Sequence, residues 1–128
     1  MSTAPQLSPD GAGATDGAGA EQVVSRFNAA WGAHDLTATL SLISEDCVFE
    51  STAPPDGQRS TGPDAIRAAW QPIFDDHASR FTVEESFTAA ERVVQRWRYD
   101  WDGGHVRGVD IFTVRDGRVT EKIAYVKG

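Results

Sequence analysis

The sequence has little cysteine, no long apolar runs and no excess of positive charge. Its single cysteine, Cys47, excludes a disulfide within the chain, and we expect the cytoplasm as the compartment. No apolar run approaches the roughly 20 residues that span a bilayer, and the N-terminus lacks the basic start and apolar stretch of a signal peptide. The formal net charge of −7 argues against nucleic acid or an anionic membrane as the main partner.

Patterns typical of metal and phosphate sites are also missing. No His or Cys spacing indicates zinc, and no glycine-rich phosphate loop follows a strand. Asp75, Asp76 and His77 are adjacent, but consecutive helix residues point in different directions. We therefore expect neither a metal nor a cofactor.

The 128 residues, about 40% of them apolar, predict one domain with a modest core. Residues 1–20 consist almost entirely of small and polar residues, so they are predicted to be a disordered tail that is mobile and dispensable. The folded domain is expected to cover residues 21–128.

Helices are predicted in the first part of this domain. One apolar face runs from Val23 to Trp31, and Gly32 ends that helix. Asp35 can cap a second helix, and Pro63 is suited to the first position of a third. The apolar side of the second helix is assigned to Leu36, Leu40 and Ile43, and that of the third to Ile66, Trp70, Ile73, Phe74 and His77.

Strands are predicted in the rest of the chain. A short strand at Cys47–Ser51 precedes a loop at 53–62, which contains two prolines and two glycines. The alternation of Phe81, Val83 and Phe87 then predicts a strand that places them on one face. Further strands are predicted over Val93–Trp101, Val106–Val114 and Val119–Val126. Helices followed by an antiparallel meander predict an α+β fold with helices on one face of the sheet.

The turns between these strands set the register. If Gly103-Gly104 is a two-residue loop, Trp97 lies directly opposite Asp110, and directly opposed residues share a face.

The Asp116-Gly117 turn leaves two alternatives open. A two-residue loop places Ile123 opposite Asp110, whereas a three-residue loop that includes Arg115 places Lys122 there.

From about Glu21 to the C-terminus, the chain resembles the nuclear transport factor 2-like (NTF2-like) superfamily, in particular its SnoaL-like and ketosteroid isomerase-like branch. VVSRFNAAWGAHDL is similar to the first two helices of ketosteroid isomerases, FES to the end of their first strand, TGPDAIRAAW to their third helix, and VDIF to the strand with their acidic oxyanion donor. The resemblance implies a cone-shaped, curved antiparallel sheet covered by three N-terminal helices. This fold hosts isomerases, dehydratases, cyclases, epoxide hydrolases and non-catalytic binding domains.

The resemblance also assigns positions. The oxyanion-donating tyrosine of the isomerases falls on Phe27, which has no hydroxyl, and their catalytic base falls on Ser51. Their second oxyanion donor, a protonated aspartate, falls on Asp110, and an aromatic residue of the active-site wall falls on Trp70. Because two of three working groups differ, we do not expect steroid isomerisation. The family spacing turns Lys122 inward, which favours the three-residue loop.

Asp110 is the main catalytic candidate. Its neighbours Val109 and Ile111 are apolar, and a desolvated carboxyl can be tuned for proton transfer. Alternatively, it is a structural acid that is paired or exposed at a sheet edge. Lys122, if inward, would hold Asp110 ionised; otherwise it is a solvated strand lysine. His77 would assist as an acid–base partner, unless it faces water at the helix end.

Large aromatic residues are the candidates for ligand binding. The inward-facing Trp31, Trp70 and Trp97, with Phe27 and Ser51, would either wall a site for a flat or apolar ligand or simply fill the cone. Trp101, near a hairpin tip, is expected at a subunit contact.

The sequence thus favours two functions. The first is a cofactor-independent enzyme that transfers protons on a small apolar molecule, as an isomerase, dehydratase, cyclase or hydrolase. The second is a non-catalytic domain that binds small molecules or another protein. A cavity that holds Asp110 beside a second titratable group would favour the enzyme, and a cavity filled by tryptophan the interaction domain. A homodimer is expected through the sheet face that carries Arg96 and Arg98.

Overall fold

A computed structural model describes residues 17–128, which form an α+β fold of three helices and a curved, unclosed six-stranded sheet. This confirms the predicted fold class. The helices are α1 (Gly17–Gly32), α2 (Leu36–Leu40) and α3 (Pro63–Asp75). The strands are β1 (Ile43–Glu50), β2 (Arg59–Thr61), β3 (Arg80–Ala89), β4 (Arg92–Trp101), β5 (Gly104–Arg115) and β6 (Arg118–Val126).

The strand order is β2-β1-β6-β5-β4-β3. The expectation of a purely antiparallel sheet is wrong for one pair, because β1 runs parallel to β6. The helical segment α3 and strands β3 to β5 lie between them in the chain and carry it back to the same end of the sheet. Strand β2 was not predicted; it lies in the proline- and glycine-rich segment and pairs with the end of β1.

The helix ends follow local sequence signals. Helix α1 ends at Gly32, and Pro63 occupies the first turn of α3. Asp35 caps α2, because its Oδ1 accepts a hydrogen bond of 3.0 Å from the Ala38 N–H. Ile43 was placed on α2, but that helix ends at Leu40 and Ile43 begins β1. None of the helices in this part of the chain is long and apolar enough to cross a membrane.

The predicted disordered segment, residues 1–20, lies outside the described residues except for its last four. Gly17–Ala20 form the first turn of α1, and the Ala20 side chain is fully buried. The last four residues of the segment that was predicted to be disordered are therefore helical.

Helices α1 and α3 pack their apolar sides against the concave face of the sheet. Phe27 of α1 lies at the centre, with its ring 5.7 Å from that of Trp70 on α3 and 5.2 Å from that of Phe112 on β5. Cys47 is a core residue, and its burial raises the pKa of the thiol to about 12. This core forms the closed end of the cone.

The β4–β5 register differs by two residues from the prediction. The turn is Asp102-Gly103, because Gly103 has the positive φ of 99° and Gly104 pairs with Trp101. Trp97 therefore lies opposite Gly108, and Gln95 takes the place opposite Asp110. A shift of two keeps every side chain on its predicted face.

The two-residue alternative for the β5–β6 turn is correct, but neither predicted partner of Asp110, Ile123 or Lys122, lies opposite it. Asp116 and Gly117 form a two-residue turn with φ of 53° and 74°, as in a type I′ hairpin. A β-bulge then shifts the register between Thr113 and Val114. Beyond it, Ala124 lies opposite Asp110 and Lys122 lies opposite Phe112, so that Lys122 faces inward.

A second bulge changes the predicted face of Phe87. The β3–β4 register shifts between Val83 and Glu85, so that Phe87 pairs with Val94 on the outer face and is 56% exposed. Phe81 and Val83, before the bulge, pair with Tyr99 and Trp97 and face inward, so they no longer share a face with Phe87.

Candidate functional site

The cone encloses a cavity of about 310 Å³. Helices α1 and α3 form one wall and the concave faces of β1, β3, β4, β5 and β6 form the other. Most of the lining is apolar, and Trp31, Phe81 and Trp97 supply the large flat surfaces. Asp110 and Lys122 are the two charged residues in the lining. The cavity is thus mainly apolar, with one pair of oppositely charged residues in its wall.

Asp110 is almost completely buried, with 2% of its surface exposed. Its Oδ1 lies 3.5 Å from the ammonium of Lys122, and its Oδ2 accepts a hydrogen bond of 3.3 Å from Nε2 of Gln95. A buried carboxylate needs such compensation, because an unpaired charge away from water is strongly unfavourable. Both partners are donors, so the site favours Asp110 as an acceptor, that is, as the carboxylate.

Lys122 is held by aromatic rings as well as by Asp110. Its Nζ lies 5.0 Å from the ring centre of Trp31, 5.1 Å from that of Phe49 and 5.8 Å from that of Phe112. Aromatic faces attract a cation at these distances. The ammonium is therefore stabilised where water is largely excluded, and the cavity contains a fixed positive charge beside the carboxylate.

Two polar residues near Asp110, Asn28 and Gln95, were not identified as site residues from the sequence. Gln95 is 1% exposed, and its side chain pairs with that of Asn28 on α1 through two hydrogen bonds of 2.9 and 3.1 Å. Gln95 could have been found from parity, because it shares the inward face of β4 with Val93 and Trp97. A buried polar side chain on that face needs hydrogen-bond partners, and Gln95 has two, Asn28 and Asp110.

Of the five predicted binding residues, three line the cavity. These are Trp31, Ser51 and Trp97. Phe27 and Trp70 do not: they are 1% and 0% exposed and lie in the core behind Trp31. Their rings contact that of Trp31 at 5.7 and 5.1 Å, so they support the wall and do not form it.

Three residues with hydroxyl groups, Ser51, Thr52 and Tyr99, line the cavity. The Ser51 Oγ accepts hydrogen bonds from the backbone N–H groups of Gln58 and Ala53, at 3.0 and 3.3 Å. Its own proton remains available to a ligand. Tyr99 lies two residues after Trp97 on β4 and supplies another hydroxyl. Ser51 has no neighbouring base in this arrangement and is suited to hydrogen bonding, not to proton abstraction.

His77 is not part of the cavity. Helix α3 ends at Asp75, and the chain turns there, with the His77 N–H bonded to the Asp75 carbonyl at 3.1 Å. The exposed His77 side chain lies beside His34, with ring centres 5.6 Å apart. The helical face that was extended to His77 in the sequence stops before it, so the prediction of a catalytic role is not supported by its position.

No group of three or more metal-ligating side chains occurs from residue 17 onwards. The cavity lining offers the carboxylate of Asp110, the ammonium of Lys122 and neutral hydrogen-bonding groups. The Trp97 indole N–H is buried and has no partner in the described part of the protein.

Comparisons with known proteins place this geometry in a family. The SnoaL-like domain matches residues 24–122. An NTF2-like protein of unknown function from Mesorhizobium loti is 42% identical, with a TM-score of 0.81 over 88% of this chain and 93% of that one. No protein with a curated function matches the sequence significantly.

More distant relatives share the fold. A candidate polyketide cyclase from Sinorhizobium meliloti is 22% identical, with a TM-score of 0.70 over 80% of this chain and 93% of that one. A candidate ketosteroid isomerase from Kribbella flavida is 16% identical, with a TM-score of 0.75 over 89% and 82%. With the domain match over most of its length and the closely similar structure from Mesorhizobium loti, the chain belongs to the SnoaL-like family of the NTF2-like superfamily.

Proposed function

We propose that this protein is a cofactor-independent enzyme that moves a proton on a small, largely apolar molecule, with Asp110 as the proton acceptor. The observation that carries the proposal is the Asp110–Lys122 pair, which lies in the wall of an apolar cavity of about 310 Å³. A carboxylate in such a place meets the substrate with little competing water, which favours proton transfer.

The positive charge of Lys122 would stabilise the product of this proton transfer. When Asp110 takes a proton, its negative charge passes to the substrate, and the ammonium at 3.5 Å from Asp110 remains to stabilise the new anion. Return of the proton to another atom gives isomerisation, loss of hydroxide gives dehydration, and attack of the anion on a carbonyl gives cyclisation. The hydroxyls of Ser51 and Tyr99 would bind substrate oxygen atoms.

The family supports this class of chemistry. Structural relatives include candidate polyketide cyclases and a candidate ketosteroid isomerase. The flat walls formed by Trp31 and Trp97 suit a substrate with one or two rings. The resemblance assigns Phe27 and Ser51 to the positions of the isomerase tyrosine and base, so the proposed reaction depends on Asp110 and not on the isomerase arrangement.

A second candidate function is a non-catalytic small-molecule binding domain. The same two replacements, at Phe27 and Ser51, favour it. Under this alternative the charged pair only orients a bound molecule that carries both a donor and an acceptor. The two functions differ in one respect: binding alone does not require Asp110 to change its protonation state.

The test compares Asp110→Asn with Glu85→Gln, a matched change of an exposed acid on the outer face. A panel of cyclic ketones, hydroxyketones and aromatic polyketide analogues is screened for binding by thermal shift and for turnover by mass spectrometry. We expect turnover by the wild type and by Glu85→Gln, and a fall on the order of 10²- to 10⁴-fold in Asp110→Asn with binding retained. Binding without turnover would favour the alternative, and unchanged turnover in Asp110→Asn would exclude Asp110 as the base.

A further inference from the structure

The amide pair formed by Asn28 and Gln95 lies against Asp110 but outside the cavity wall. Gln95 is directly opposite Asp110 on the neighbouring strand, 1% exposed, and does not line the cavity. The proton transfer proposed above assigns no part to either amide. One buried and one half-buried amide beside a single carboxyl are costly to desolvate unless their polar atoms are used, so their arrangement needs a reason.

The hydrogen bonds fix the orientation of both amides. Nε2 of Gln95 donates to Asp110 Oδ2 at 3.3 Å and to Asn28 Oδ1 at 3.1 Å. Nδ2 of Asn28 donates to Gln95 Oε1 at 2.9 Å. In this orientation the amino group of Gln95 donates to Asp110, and an ionised carboxylate can only accept hydrogen bonds. The orientation therefore matches the carboxylate form of Asp110.

The opposite orientation makes the same reciprocal pair. If each amide group rotates by half a turn about the last side-chain bond, its oxygen and nitrogen exchange places. Asn28 and Gln95 then still exchange two hydrogen bonds, because the oxygen and nitrogen of an amide are nearly equal in size. The Gln95 oxygen would then face Asp110. That arrangement matches a protonated carboxyl, which donates through its O–H.

We propose that Asn28 and Gln95 are positioning residues that turn over together when Asp110 takes up a proton. Asp110 then keeps its hydrogen bond to Gln95 both as a base and as an acid. The benefit to catalysis rests on the proposed function, since a group that accepts and returns a proton must be stable in both states. A fixed donor at the same place would oppose protonation and leave a buried polar group unpaired.

The other neighbours of Asp110 cannot adapt in this way. From β6, Lys122 is its ion-pair partner in the described structure, and an ammonium only donates. From α1 and β4, Asn28 and Gln95 present neutral amides. Ala124, directly opposite on β6, has no polar side chain. The amide pair is the part of this environment that can change from donor to acceptor.

The experiment follows the side-chain amide signals of Asn28 and Gln95 and the carboxyl carbon of Asp110 by NMR, in the full chain without ligand, as the pH is lowered. We expect the three signals to shift with one midpoint, and the amide of the exposed Gln22 to stay constant. A carboxyl that titrates while the two amides do not move would overturn the proposal.

Asp110→Asn supplies the same information at neutral pH if acid unfolds the domain first. Lys122 should attract the oxygen of the new amide, whose amino group then faces Gln95. We expect the Gln95 amino protons to lose their nuclear Overhauser contacts to position 110 while their contacts to Asn28 remain. Amino protons of Gln95 that stay against position 110 contradict the reversal.

Activity gives a third measurement. Gln95→Met, which keeps the length and removes the amide, should lower kcat roughly 10- to 100-fold with KM little changed, since Gln95 does not line the cavity. The control is Gln71→Met on the exposed side of α3. An equal loss in both variants would contradict a positioning role. If no substrate is ever turned over, the proposed function fails, while the NMR measurements still decide this inference.

Discussion

At the scale of single residues, the site depends on two opposite charges that are both removed from water. Asp110 and Lys122 are 2% and 6% exposed. Each charge is tolerable only because the other is present, together with Gln95 and the aromatic rings. Coupling of this kind predicts that changing both residues lowers the free energy of unfolding by less than the sum of the two single changes.

We expect Lys122→Met to lower the free energy of unfolding by about 3–5 kcal/mol, because it leaves a buried carboxylate without its counter-charge. The double variant Lys122→Met with Asp110→Asn should regain a large part of that loss, since no buried charge remains. Urea unfolding of the wild type, both single variants and the double variant measures this. A double variant that loses the sum of the two single effects would show that the residues are not coupled.

Cys47 gives a pH-dependent prediction. Burial raises the pKa of its thiol from 9.0 to about 12, with a further contribution from the Asp46 carboxylate. Because the folded pKa lies above the unfolded one, the folded state binds more protons between these values. The free energy of unfolding should therefore fall as the pH rises from about 9 towards 12, and be unaffected by this group below 9. In Cys47→Ala this contribution disappears.

The measurement is the difference between wild type and Cys47→Ala in urea unfolding over that range, since other groups titrate equally in both. Thiol alkylation at pH 8 is an independent check. The folded chain should react only through opening and the unfolded chain at once. Rapid alkylation of the folded chain would contradict the burial of the thiol.

At the scale of elements, the helices were predictable from neighbouring residues. Gly32, Asp35 and Pro63 mark helix boundaries through local backbone and capping chemistry, and each stands where it was expected. Strand faces were predictable where alternation was unbroken, as in β4. In these segments the cause of the structure lies within a few residues of its effect.

The features that were not predictable depend on distant partners. The bulge after the Asp116-Gly117 turn decides whether Lys122 faces the cavity: without it, Lys122 would lie opposite the outward Ile111. Nothing in the local sequence marks that bulge or the one that exposes Phe87. The parallel β1–β6 pair likewise joins segments at opposite ends of the domain. Asp110 was found because an acid in an apolar run is a local signal, whereas Asn28 becomes relevant only once α1 is packed on β4.

At Gly108, strand β5 leaves no room for a side chain. A Cβ at this position would clash with the backbone oxygen of Tyr125 and with the Trp97 ring, which lies across the glycine. The lack of a side chain therefore lets Trp97 lie flat against the sheet and keeps the cavity open. Glycine is needed here for space, since its φ is not positive.

We expect Gly108→Ala to lower the free energy of unfolding by about 1–3 kcal/mol, as overpacking in a core does, and to weaken ligand binding because Trp97 moves into the cavity. Gly32→Ala is the control, since nothing lies within 4 Å of a Cβ at that position. Urea unfolding and the binding assay of the ligand panel measure the two effects. Unchanged binding in a folded Gly108→Ala variant would show that Trp97 does not limit the cavity.

At the scale of the whole molecule, the outer face of the sheet carries apolar residues that have no cover within the described chain. Successive strands align four of them in one row, because Phe87 pairs with Val94, Val94 with Ile111, and Ile111 with Ile123. Phe87 and the nearby Tyr125 are 56% and 57% exposed. Two ion pairs lie beside the row: Arg96 with Glu85 and Arg107 with Glu84, with N–O distances of 2.7 and 2.9 Å. Their charges are already balanced and would not oppose a second copy.

We therefore propose that two copies associate through this face about a two-fold axis, which brings equivalent rows together. Ile111→Arg should convert the dimer to a monomer, because like charges would meet at the axis, while the cavity is unaffected since Ile111 points away from it. Thr37→Arg, on the exposed side of α2, should leave the dimer intact. Sedimentation at micromolar concentration measures the mass against the 13.9 kDa of one chain. A wild type that sediments as a single chain would rule out this interface. A dimer that is unaffected by Ile111→Arg would show that the two copies contact each other through another face.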